Sequence, residues 1–185
     1  EEGMGGGAAP AHQGSARDGR SGRAASNGGR GSADGNIDTV AAIDLEATPP
    51  RVIDQVVVGA GPEGFAISPT GEIAVAILLR GSNASKSAFF YNRNGSVAVL
   101  KIDGKKVTKV GEVEVRGLPE GVVFSPDGKY LYVGKYMDDD LSILKVDGTN
   151  VTDTGKSFKL PGHPDVVAGG RPWWAEAEGP RTAGA

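Results

Sequence analysis

Three acidic residues recur at one place in a repeated pattern. Pro62-Glu63-Gly64 and Pro119-Glu120-Gly121 are copies of one tripeptide, and Pro164-Asp165 begins a third. Each acid stands just ahead of a run rich in apolar residues. Carboxylates collected from several copies have the hard-oxygen chemistry of a divalent metal site, calcium for instance, or of a site for a cationic ligand. The plainer reading needs no cofactor: the acid recurs because the repeat recurs, and it caps the backbone where a strand begins. A dedicated site seldom uses every copy of a repeat.

His163 stands next to Pro164 and Asp165. The other histidine, His12, lies in a stretch of Gly, Ala, Arg and Ser. A multi-histidine metal centre is thereby excluded within this chain. A Ser-His-Asp triad would have to use His163, and no Gly-x-Ser-x-Gly elbow supplies its nucleophile. The plain reading of His163 is a turn residue. Asp138-Asp139-Asp140 has three acids but lacks the alternating ligand spacing of a calcium loop, so it reads as a turn cap. Phe89, Phe90 and Tyr91, beside Lys86 and Arg93, form a polar and aromatic loop at 80–95. Such an insertion in a repeat commonly lies on a functional face. It either contacts a ligand or partner protein, or folds back as a short hairpin. Three glycosylation sequons, at Asn83, Asn94 and Asn150, are short enough to arise by chance.

These residues need a frame, and alternation supplies it. Strands are predicted at 39–45, 52–59, 64–68, 72–79, 96–102, 106–115, 140–146 and 150–160, and 161–167 reads as the start of another. The clearest unit is 117–136. Val122 and Phe124 end a strand, Ser125-Pro126-Asp127-Gly128 turns the chain, and Tyr130 to Val133 begin its partner. Proline presets φ early in such a turn, and glycine accepts the positive φ at its exit. No stretch has helical periodicity.

The repeat has a measurable register. Shifting 39–79 by 57 places it on 96–136 without a gap. Shifting 100–111 by 44 places LKIDGKKVTKVG on LKVDGTNVTDTG. The difference of 13 is the extra length of the 80–95 loop. A four-stranded unit of about 44 residues has the size of one propeller blade.

Composition limits the rest. Of 185 residues 30 are glycine, and residues 1–36 hold many of them with Met4 as the one large apolar side chain. Such a segment cannot offset its ordering entropy by burial, so it is expected to be a disordered tail. Residues 168–185 have the same character, with Trp173 and Trp174 in an unpaired tail. The net charge of −3 does not favour nucleic acid as a partner. No cysteine is present, which rules out disulfides and thiolate chemistry. No apolar run approaches the roughly 20 residues of a membrane span, and no signal peptide is visible.

The run Pro-Glu-Gly, Ser-Pro-Asp-Gly-Lys, a hydrophobic strand, then DLSILKVDG resembles the YVTN-type β-propeller repeat of the YncE-like and lactonase-like group. The resemblance covers 36–167. It implies an all-β fold, a partial β-propeller of about two and a half four-stranded antiparallel blades with disordered tails. The expected divisions are a tail at 1–36, a half blade at 37–58, blades at 61–115 and 118–160, the start of a further blade at 161–167, and a tail at 168–185. The chain is then expected to be a piece of a larger propeller, able to self-associate through its open edges.

The same resemblance implies that Glu63, Glu120 and Asp165 face the central channel at one end. Gluconolactonase-like propellers are similar in holding a divalent metal with a Glu before an inner strand. In lactonase-like propellers a His or Arg near the channel assists ring opening, a role that would fall to His163. Two functions follow. The first is a non-catalytic scaffold for a ligand or partner protein, and the alternative is a lactonase-type hydrolase opening a sugar lactone. A third is the propeller subunit of a quinone-dependent amine dehydrogenase, a scaffold for a partner chain. The family resemblance implies a periplasmic or secreted location.

Overall fold

The computed structural model describes residues 37–165 and 167. The two tails expected at 1–36 and 168–185, and Val166, lie outside the described residues. Ten strands follow one another: β1 (Asp38–Asp44), β2 (Arg51–Gly59), β3 (Pro62–Ile67), β4 (Ile73–Leu78), β5 (Gly95–Asp103), β6 (Lys106–Val115), β7 (Pro119–Phe124), β8 (Tyr130–Lys135), β9 (Asp140–Asp147) and β10 (Asn150–Lys159). A single 3-10 turn, Tyr136–Asp138, joins β8 to β9. Every pairing is antiparallel. The sheets are β1-β2, β3-β4-β5-β6 and β7-β8-β9-β10, each four-stranded sheet built in chain order. The all-β, partial-propeller expectation holds: two four-stranded blades and a strand pair.

The turns explain why the repeat is spelled as it is. In the second blade Gly128 N–H donates to the Ser125 carbonyl at 2.9 Å, and Gly128 sits at φ 70°. Ser125 Oγ donates to Asp127 at 2.6 Å and accepts Tyr130 N–H at 3.0 Å. The first blade repeats this with Gly71 N–H on the Ser68 carbonyl and Ile73 N–H on Ser68 Oγ. The serine thus closes the turn and starts the next strand. The Ser125 hydroxyl and the Lys129 N–H hold the Asp127 carboxyl below its ordinary range.

The core lies between the sheets. Along β4 successive side chains point to opposite faces. Ile73, Val75 and Ile77 pack with Val97, Val122, Phe124, Leu131, Val133 and Leu144 between the two blades. Ala74, Ala76 and Leu78 pack with Val58, Ala98 and Leu100 towards the β1-β2 pair. Burial on both faces is why β4 reads as an unbroken apolar run rather than an alternation. The β1-β2 pair docks through polar contacts as well. Lys109 Nζ donates to the Val58 carbonyl at 2.6 Å, and Val107 N–H donates to Asp54 at 2.8 Å. In the complete blades the counterpart of β1 pairs with an inner strand, as β5 does with β4. Among the described residues that edge of β1 has no partner, and Ile43, Phe65 and Ile67 near it are exposed.

One recurrent feature has no obvious spelling. The register slips at Ile53 in β2, at Val110 in β6 and at Thr154-Gly155 in β10. These positions coincide under the repeat, since 53 + 57 = 110 and 110 + 44 = 154. A bulge increases local twist and re-aims the side chains beyond it. It puts Lys109 and Glu112 on one side, and their charges meet at 2.6 Å.

The 161–167 segment differs from the expectation of a strand. Residues 161–165 form a bend and an extended run without ladder pairing. A strand exists only where a neighbour completes its hydrogen bonds, and none pairs with it among the described residues. Pro164 is buried instead against Gly134, whose missing side chain leaves the room. The 80–95 loop is a run of tight turns rather than a hairpin. Backbone bonds link Ser82 to Leu79, Ala84 to Gly81, Ala88 to Ser85 and Tyr91 to Ala88.

Candidate functional site

Strand register places the sequence candidates at one end of the arc. Pro62 opposes Leu78 and Pro119 opposes Lys135, so the inner strands begin where β4 and β8 end. The 80–95 loop, the 136–139 turn and residues 161–165 all leave from that end.

The recurrent acids lie there in different surroundings. Glu120 is buried, Glu63 half-buried and Asp165 exposed. Glu63 and Glu120 both interact with neighbouring groups. No group of three or more metal-ligating side chains forms among the described residues, so the three acids do not converge. What brings β3 and β7 together is glycine. A Cβ on Gly64 would stand 2.3 Å from the Glu120 carbonyl oxygen. The Pro-Glu-Gly spelling therefore records a close approach of two backbones.

His163 has a defined setting. Its Nδ1 lies 2.9 Å from the Tyr136 carbonyl oxygen and 2.5 Å from Asp139 Oδ1. Both are acceptors, so Nδ1 carries a proton and Nε2 is left to the solvent side. The ring stacks on Tyr136, with centroids 4.5 Å apart at 25°. Asp139 Oδ1 is buried and takes no well-aligned hydrogen bond; the His163 ring lies against it. Asp139 also adopts φ 51°, the left-handed region, where a non-glycine residue is strained. An imidazole whose Nδ1–H is taken by the Tyr136 carbonyl, with the Asp139 carboxylate beside it and Nε2 left over, can act as a general base.

The sequence reading missed this pair, yet the repeat contains its signal. Asp38, Gly95 and Asp139 coincide, since 38 + 57 = 95 and 95 + 44 = 139. Gly61, Leu118 and His163 coincide as the residues before the three prolines. The first of these pairs is also in contact: Asp38 Oδ2 accepts Gly61 N–H at 3.0 Å. The aspartate thus ties down the entrance of the next inner strand. At His163 an imidazole takes the place of the main-chain donor.

The three aspartates at 138–140 divide between two partners rather than forming one centre. Asp138 and Asp140 flank Lys135 Nζ at 3.7 and 3.0 Å, and Asp139 meets His163. Phe89 and Phe90 meet edge to face at 5.2 Å, and Phe89 is 93% exposed.

In the first blade Glu112 joins several groups. Burial raises its pKa, but hydrogen bonds from Lys109 and Ser96 and the charges of Lys109 and Arg80 outweigh that, and the net effect is a lowered pKa. A lowered carboxyl pKa adds stability above the unfolded-state value and loses it as pH falls through the folded-state value. Glu112→Gln is expected to cost under about 1 kcal/mol at neutral pH, the scale of part-exposed pairs. The cost should vanish below the carboxylate range. Urea melts at pH 7 and pH 3 check this.

No family profile and no curated protein matches the chain. Solved structures do. A candidate 6-phosphogluconolactonase from Bacteroides uniformis aligns over 69% of this chain and 36% of its own, with 19% identity and a TM-score of 0.52. Its counterpart from Bacteroides fragilis aligns over 60% and 30%, with 25% identity and a TM-score of 0.49. The chain therefore spans about a third of the length of these proteins. The class that the fold defines is a β-propeller, of which two whole blades and a strand pair are described. No helix among the described residues is long and apolar enough to cross a membrane.

Proposed function

We propose that these blades belong to a lactonase-type hydrolase that opens a sugar lactone. The observation that carries this reading is the Asp139–His163 pair at the end where the inner strands begin. His163 Nε2 accepts a proton from water as the water oxygen attacks the lactone carbonyl. The tetrahedral centre then breaks its bond to the ring oxygen. The imidazolium returns the proton to that oxygen, leaving an open hydroxy acid. Asp139 stabilises the imidazolium and fixes the ring. The similar solved structures from Bacteroides, themselves described as candidate lactonases, support this class. The test is base uptake during hydrolysis of a sugar lactone, with and without calcium. Wild type should open the lactone faster than His163→Gln, and equal rates would reject the reading.

The scaffold reading retains one supporting observation, the exposed Phe89 on the loop that also holds Phe90 and Tyr91. That surface would serve a ligand or partner protein. The repeat spelling supports membership in the YVTN-type group, with the extracytoplasmic location usual for it. Self-association through the open β1 edge is part of the same proposal.

A further inference from the structure

A cavity of about 400 Å³ lies on the outer strands, at the same end of the arc. Its walls carry Arg116, Lys135, Lys156 and Lys159, with Asp138, Asp140 and Asp153 among the other lining residues. Four cations stand against three acids.

The same place in the first blade is electrostatically closed. There Lys109 pairs with Glu112 at 2.6 Å, Ser96 Oγ donates to Glu112 at 2.6 Å, and Arg80 approaches Glu112 and Glu114. In the second blade Asp153 stands in the place of Lys109 and Asp140 in that of Ser96, but the two-residue bulge at Thr154-Gly155 leaves Ser157, opposite Ser142, in the place that Glu112 holds opposite Ala98. The central carboxylate has no counterpart, and the neutralising contacts are not rebuilt. Among the described residues, Lys156 Nζ and the Arg116 guanidinium have no ion-pair partner. Lys159 Nζ donates to the Asp138 carbonyl at 2.8 Å.

The floor of the cavity is built from charge. Lys135 is 8% exposed and Asp140 is 5% exposed. They oppose each other across β8 and β9, with Nζ and Oδ1 3.0 Å apart. Asp140 Oδ1 is buried and takes no well-aligned hydrogen bond. Their counterparts in the first blade are Leu78 and Ser96, so the pair is not a property of the repeat. Breaking a buried pair strands a charge at considerable cost, while a hydrophobic replacement is commonly neutral or better. Buried charge retained at one blade only, beneath unpartnered cations, is the arrangement of a polar ligand site.

We infer that this cavity binds a small oxyanion, a phosphate or a carboxylate, through Arg116 and Lys156 with Lys159 beside them. The Lys135–Asp140 pair holds the floor, and Ser142 offers a hydroxyl there. Arg and Lys recognise such groups by charge-assisted hydrogen bonds. The site is distinct from the Asp139–His163 pair and does not depend on any lactonase activity.

Calorimetric titration of the protein at low salt, with inorganic phosphate in one arm and gluconate in another, tests it. Binding of one or both is expected, and the stronger arm identifies the oxyanion. Arg116→Gln and Lys156→Gln should each raise Kd at least tenfold, with melting temperatures unchanged. Lys106→Gln, at the opposite end of the outer strand, should leave Kd as it was. No heat in either arm would overturn the inference. So would equal weakening by all three substitutions, because that result describes diffuse charge rather than a site.

Discussion

Gly64→Val is expected to destabilise the protein by about 3 kcal/mol, at the top of the usual range for overpacking. A Cβ at this position would stand 2.3 Å from the Glu120 carbonyl oxygen and 3.0 Å from Ile77 Cγ1. The first contact is with backbone, so no rotamer change relieves it. Relief requires β3 to move away from β7, which opens the core shared by the two blades around Ile77, Val122 and Val133. Melting should fall by roughly 10 °C for a domain of this size. Gly162→Ala is the control, because nothing lies within 4 Å of its added Cβ. Thermal melts of both variants decide the matter, and an unchanged melt for Gly64→Val would show that the inner strands are not so close.

Asp139→Asn is expected to lower lactone opening by about 100-fold, within the usual contribution of general acid–base catalysis. Asparagine tolerates the left-handed backbone that Asp139 adopts, so folding should be little affected. The substitution removes the negative charge beside the His163 Nδ1–H and can turn a donor towards it. Asp139 touches no substrate; it positions His163. The double variant Asp139→Asn, His163→Gln should therefore be no slower than His163→Gln alone. Multiplicative losses would mean that the two residues act separately. Kinetics of the three variants, with melts to verify folding, make the comparison.

The blades were legible because their code is local. Period-two alternation and Ser-Pro-Asp-Gly are each spelled within a few residues, and the shifts of 57 and 44 repeat them along the chain. The strands at 96–102 and 106–115 appear where the alternation puts them. The site was legible only in part. His163 and the acids stood out by type, but their partners did not. His163 reaches Asp139 and Tyr136 across 24 and 27 positions, a separation that only the folded sheet closes. The bulges at Ile53, Val110 and Thr154 were hidden for another reason. A bulge is a mismatch between two strands, and neither strand alone spells it. The acids at Glu63, Glu120 and Asp165 were legible as copies of one repeat position, but their burial, which differs at all three, was not. The loop at 80–95 resisted because turns closed by single backbone bonds leave no period to read.

The most direct measurement is nitrogen-resolved NMR of the His163 ring, with His12 replaced by Gln so that one imidazole reports. It is taken at about pH 8.5, above the ordinary histidine range. The predicted result is a neutral ring protonated on Nδ1, with Nε2 unprotonated, and a redistribution of that proton in Asp139→Asn. A proton on Nε2 in the otherwise wild-type protein would contradict the account, because the nitrogen that should receive the proton from water would already hold one.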